Sequence, residues 1–184
     1  MSWTQRNRAE IISKTYKPWA SGAATALDVG CGNAEVSVIL AKNLGLNIHG
    51  TDINDYRLPS ASTIPFTCME TPEKLPFKDD FFDIVMFNDM LHHTEDAEPL
   101  LREGKRIARK AVLVFEDQET WLLRKIDVSL NFQYCSSMPC PLNFKSDKEW
   151  KALFSKLGMS AEEIDPKYPI WYPIRHYAFR LTAS

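Results

Sequence analysis

One stretch restricts the fold more than any other: Leu27-Asp28-Val29-Gly30-Cys31-Gly32-Asn33-Ala34-Glu35. An apolar run over 24–29 ends on two glycines spaced by one. Val36, Ile39, Leu40 and Leu44 then recur at helical spacing as far as Gly45. Strand, tight turn and helix open a βαβ unit, in which glycine lets the backbone approach a ligand and the helix start aims unpaired N–H groups at it. A dinucleotide site wants a third glycine three residues after the second. That position is Glu35, whose carboxylate would repel a pyrophosphate, so a nicotinamide or flavin cofactor is disfavoured. Asp52 follows the next apolar run and can accept from both hydroxyls of an adenosine ribose. Alone, such an aspartate reads equally as turn chemistry.

The rest of the chain repeats the alternation. Strands are expected over 46–50, 64–68, 82–87 and 111–115, with Pro99 opening a helix that carries Leu100, Leu101, Gly104 and Ile107. Strand runs that are apolar throughout belong in a sheet covered on both faces, and helix-length connections make parallel crossovers. Ser146-Asp147-Lys148-Glu149 has capping-box spacing ahead of Trp150, Leu153, Phe154 and Leu157. The segments 159–164 and 176–182 are joined by a stretch too short and too proline-rich for a helical crossover. They are expected as an antiparallel hairpin. The fold class is therefore α/β, doubly wound and Rossmann-like, read as a single domain over 1–184.

Composition excludes several classes. A formal charge of -2 gives no positive field for nucleic acid, and no apolar run approaches the ~18 residues of a membrane span. The polar start of the chain does not read as a signal peptide. Cys31, Cys68, Cys135 and Cys140 lack zinc-pair spacing, so no metal is expected and the thiols read as reduced in a cytoplasmic protein.

The motif Leu27-Asp28-Val29-Gly30-Cys31-Gly32 resembles the first motif of class I S-adenosylmethionine-dependent methyltransferases. Leu75-Pro76-Phe77-Lys78-Asp79-Asp80-Phe81-Phe82-Asp83-Ile84-Val85 and Asn88-Asp89-Met90-Leu91-His92-His93 resemble the segments around the fourth strand of the type 11, small-molecule branch. Leu100-Leu101-Arg102-Glu103 is similar to its next helix, and 144–158 to its late helix. The resemblance extends over roughly 24–182. It implies a methyltransferase fold with a mixed seven-stranded sheet. It also implies S-adenosylmethionine as cofactor, S-adenosylhomocysteine as product and a small organic molecule as acceptor.

Position by position, the resemblance implies that Asp28, Gly30, Gly32 and Asn33 shape the loop around the methionine part. Asp52 would hold the ribose, Ile53 would pack on adenine, and Met69, Glu70 and Thr71 would meet the adenine edge. Asn88 would lie beside the methionine end, and His93 would pack under the cofactor. The branch commonly has aspartate where Thr71 stands and often glycine where Ala34 stands. His92, with Asp89 close by, is the candidate general base, against a structural role capping a turn. Trp121, Phe132 and Tyr134 are candidate acceptor contacts, because their segment leaves the fifth strand at the end where α/β sheets bind ligands. An alternative remains: a methyltransferase-fold protein without activity, serving as cofactor sensor or partner subunit. Neither the oligomeric state nor the methylated atom is specified by the sequence.

Overall fold

The computed structural model describes residues 3–118 and 143–183. The expected acceptor contacts Trp121, Phe132 and Tyr134, with Cys135 and Cys140, lie outside the described residues.

The elements run α1 (Trp3–Tyr16), β1 (Thr25–Val29), α2 (Glu35–Leu44), β2 (Asn47–Asp52), β3 (Phe66–Cys68), β4 (Phe82–Asn88), α3 (Glu98–Ile107) and β5 (Ala108–Asp117). After these come α4 (Asp147–Lys156), β6 (Met159–Glu163) and β7 (His176–Ala183). Single 3-10 turns occupy Pro59–Ala61 and Leu91–His93. The sheet order is β3-β2-β1-β4-β5-β7-β6, parallel except where β7 runs antiparallel to both β5 and β6. The expected seven-stranded mixed sheet with a terminal hairpin is therefore present. α1 was not anticipated.

Alternate side chains of each central strand serve opposite faces. Val85 and Phe87 of β4, with Val112 and Val114 of β5, meet Leu100, Leu101 and Ile107 of α3 and Trp150 and Phe154 of α4. Ile84, Met86, Leu113 and Phe115 meet Ile12 and Tyr16 of α1 and Val36 and Leu40 of α2. Both faces are dry, which is why these strands read as continuous apolar runs. α3 lies close on β4: a Cβ at Gly104 would stand 2.8 Å from the Phe87 ring. The Ser146 capping box forms as expected, with Ser146 accepting from Glu149 N–H and Glu149 accepting from Ser146 N–H. No helix among the described residues is long and apolar enough to cross a membrane.

At the amino ends of the strands, the Asp83 carboxylate accepts from the N–H groups of Ala24 (2.7 Å) and Thr25 (3.2 Å). Arg109 and Lys110 lie 3.3 and 3.4 Å from its other oxygen. These partners hold Asp83 down at about 2, the Ala24 N–H foremost. The opposite, carboxyl ends of the strands carry the functional features.

Candidate active site

Strand order reverses between β1 and β4, and in an open α/β sheet the crevice beyond that point receives ligands. β1 delivers Asp28 there and β4 delivers Asn88. Asp28 accepts from Ser37 Oγ at 2.6 Å and from Asn88 Nδ2 at 2.9 Å, while Asn88 Oδ1 accepts from Tyr16 O–H at 3.0 Å. All four side chains are buried. Burial raises the Asp28 pKa, against the pull of its two donors. The chain of bonds ties α1, β1, α2 and β4 together beneath the crevice. Tyr16 and Ser37 were not picked out from the sequence, since a lone tyrosine or serine on a helix carries no spacing signal.

Beyond β1 the backbone enters the left-handed region at Gly30 (φ 69°), Gly32 (52°) and Ala34 (57°). Gly30 is required by crowding as well as by φ, because a Cβ there would meet Met90 Cε at 2.9 Å. At Gly32 the space where a Cβ would stand is open to 4 Å, so the loop presents bare backbone to the crevice. Asn33 Oδ1 accepts from Glu35 N–H at 3.1 Å, helping to satisfy the start of α2. Glu35 itself is buried, with Ser60 Oγ 3.3 Å from its carboxylate.

Asp52 ends β2 and faces this loop. Its Oδ2 accepts from Gly32 N–H (2.8 Å) and its Oδ1 from Ile53 N–H (2.7 Å). Burial raises its pKa while these two bonds oppose the rise. Each oxygen keeps a second lone pair, so the carboxylate can hold the loop and still accept from two hydroxyls. Met69 N–H bonds Asp52 carbonyl at 2.8 Å and Cys68 Sγ lies 3.0 Å from Ile53 carbonyl. Ile53 and Met69 thus stand together at the ends of β2 and β3. Glu70 and Thr71 follow, both exposed.

Asp89 and the two histidines follow β4. His92 is 2% exposed, with Nδ1 2.6 Å from Glu116 Oε2 and its ring stacked on Phe144 at 4.7 Å. Glu116 Oε1 also accepts from the N–H groups of Met90 and Leu91. His92 is therefore anchored inside the turn it helps to build. His93 is half-buried, its ring centroid 4.0 Å from that of His92, and its N–H bonds Met90 carbonyl. Asp89 adopts φ 49° and points inward, with Arg8 Nη1 3.2 Å from its Oδ2. Burial, with Asp117 adding like charge, lifts its pKa to about 7. Asp117 and His176 complete this cluster, beside the stacked rings of Tyr168 and Tyr172. Arg8, Asp117 and His176 escaped sequence reading because they come from three distant segments.

The comparisons bear on this geometry. Residues 27–115 match the family described as a methyltransferase domain. Tabersonine 16-O-methyltransferase from Catharanthus roseus is 26% identical over 172 residues, which are 86% of this chain and 48% of that protein. A mitochondrial arginine-hydroxylase, NDUFAF5 from Danio rerio, is 36% identical over 87 residues, 46% of this chain and 27% of that protein. The chain thus spans about half of the first relative's length and about a quarter of the second's. Among solved structures, magnesium protoporphyrin IX methyltransferase from Synechocystis PCC 6803 with bound SAH superposes with a TM-score of 0.65. It is 15% identical, and the match covers 100% of this chain and 89% of that one. Sequence match and sheet topology agree: the chain is similar to class I S-adenosylmethionine-dependent methyltransferases, with the family match lying over residues 27–115.

Proposed function

We propose that this protein transfers a methyl group from S-adenosylmethionine to a small organic acceptor. The observation that carries the reading is the Asp52–Gly32 bond at the mouth of the crevice. It preorganises a ribose-accepting carboxylate beside a backbone loop with no side chain in the way. The same site is poor for a dinucleotide, because the buried Glu35 carboxylate sits where a pyrophosphate would need N–H groups and positive dipole. The Catharanthus relative, named as a tabersonine 16-O-methyltransferase, supports a small acceptor.

Bound in the crevice, the cofactor supplies a methyl group already activated by its sulfonium. What the chain supplies is position. Asp52 would fix the ribose, Ile53 and Met69 would enclose adenine with Glu70 and Thr71 at its edge, and the loop of Gly30, Gly32 and Asn33 would hold the methionine part. Asp28 and Asn88 brace that loop from below through the bonds described above. Holding reactants in line supplies ~7–11 kcal/mol of a barrier without further chemistry. His92, tied to Glu116, is cast as a positioning group for the turn that carries Asp89 and His93. The acceptor would lie at the Asp89 end, with Trp121, Phe132 and Tyr134 as its further contacts.

A second reading has one observation in its favour: the zebrafish relative is named for hydroxylation, not methylation. On that reading the chain binds the cofactor and transfers no methyl group. Incubating the protein with methyl-labelled cofactor and a metabolite extract, then identifying labelled products by mass, separates the two. Label in a small molecule is expected. Binding of S-adenosylhomocysteine with no labelled product would favour the sensor or subunit reading. Stabilisation by NADH and not by S-adenosylhomocysteine would overturn both.

A further inference from the structure

Three strands bring metal-ligating groups to one point at the carboxyl edge of the sheet. Asp89 follows β4 directly, Asp117 is the last residue of β5, and His176 is the first of β7. Asp117 and His176 are register partners, and Asp89 N–H bonds Phe115 carbonyl at 2.7 Å, which pins the third group to the same strand. His176 Nε2 lies 2.8 Å from Asp117 Oδ1 and 3.7 Å from Asp89 Oδ1. Ligand atoms of the three all fall within 4.8 Å of one another.

Asp89 is the telling member. Its side chain is 5% exposed, yet among the described residues neither carboxylate oxygen receives a hydrogen bond. Its backbone holds the left-handed conformation, strain that persists where surrounding structure fixes a functional side chain. A buried carboxylate without donors is costly unless a cation meets it. Arg8 Nη1 approaches Oδ2 to 3.2 Å as an ion pair without a hydrogen bond, from a side chain that is 35% exposed. Glu116, the other nearby acid, is already committed to two N–H groups and His92.

His176 is set up as a ligand through Nε2. Its Nδ1 faces Tyr168 Oη at 3.4 Å, and its ring lies stacked against Phe115 with centroids 4.3 Å apart. A partner on one imidazole nitrogen fixes ring orientation and leaves the other for a metal.

We propose that Asp89, Asp117 and His176 bind a divalent first-row transition ion, of the Mn2+, Fe2+ or Zn2+ class. Two carboxylate oxygens with one imidazole suit these ions better than Ca2+ or Mg2+, which favour all-oxygen sets. Three protein ligands leave coordination positions open for another molecule. Taken with methyl transfer, which this role rests on, those positions would seat an acceptor hydroxyl. The hydroxyl releases its proton to water, its oxygen forms the bond to the methyl carbon, and sulfur keeps the electron pair of the broken C–S bond.

Ion binding is tested on the intact chain after chelator treatment, by titrating Mn2+ under electron paramagnetic resonance and Zn2+ under calorimetry. One equivalent of Mn2+ is expected. Asp117→Asn and His176→Gln should each weaken it more than about tenfold while S-adenosylhomocysteine still stabilises both variants. Arg8→Met should tighten Mn2+ binding, since it removes a repelling cation. A purely structural ion cluster gives the reverse pattern: no Mn2+ signal, and a loss of thermal stability in Arg8→Met. Absence of Mn2+ binding in the wild type, or binding unchanged in both ligand variants, would overturn the site. Should the ion bind while S-adenosylhomocysteine does not, the methyl-transfer reading fails and the ion site stands.

Discussion

Asp52 is held by two N–H groups before any ligand arrives, so its substitution removes more than one contact. Hydrogen bonds to a charged acceptor contribute ~1.5–3 kcal/mol, and Asp52→Ala should weaken S-adenosylhomocysteine binding by roughly 10- to 150-fold. Asp52→Asn, which keeps one accepting oxygen, should fall between. Calorimetry with unchanged affinity in both would return Asp52 to a turn role. Asp83 makes a different prediction. Its folded pKa is depressed to about 2, so its contribution is complete above the unfolded value near 3.9 and is lost as pH falls through that window. The loss should be on the order of 2 kcal/mol. Asp83→Asn should lower stability at neutral pH and flatten its acid dependence between about pH 5 and 2; parallel curves for the two proteins would refute this. Residues such as Gly30, Gly32 and Asp52 were legible because their role is local, set by a strand end and a turn. Asp89, Asp117 and His176 act only together, and nothing in sequence spacing joins positions 89, 117 and 176.

At the scale of elements, the strands and helices expected from periodicity are present, with ends displaced by a few residues where the ladder rather than composition decides. β5 begins at Ala108 because Phe82 of β4 pairs with it, although Arg109 and Lys110 are exposed and lie outside the apolar run expected over 111–115. β3 shrinks to Phe66–Cys68 because Ile64 is spent under the 3-10 turn with Ala34 and Ala61. α1 was missed because its polar first turns mask the buried set of Ala9, Ile12 and Tyr16. The seat of α3 gives a sharp test. Gly104→Ala would gain ~1 kcal/mol of helix propensity, but the new methyl would press on the fully buried Phe87 ring, and overpacking costs ~1–3 kcal/mol. Net destabilisation is expected in chemical denaturation. A stabilised variant would show that α3 can lift off β4 at little cost.

For the whole molecule, cofactor and fold are one equilibrium. The crevice is built from α1, β1, α2, β2 and β4 at once, so a ligand there is felt by the cooperative unit rather than by one loop. S-adenosylhomocysteine at 100 times its Kd should add ~2.7 kcal/mol, raising the melting temperature by roughly 5–11 °C for a chain of this size. NADH at the same concentration should leave it unmoved.

The interposed position of β7 leaves β6 as the outer strand at that end of the sheet. β6 pairs with β7, which follows it closely in sequence, and β7 in turn pairs with β5 some sixty residues upstream. The other edge of β6 has no strand partner among the described residues, and its open N–H and C=O groups are ones that another chain could take. Four of its five residues are exposed, among them Glu162 and Glu163, and like-charged carboxylates repel a second copy of the same strand. Acidic side chains on this outer strand thus guard the sheet against edge-to-edge association with another copy.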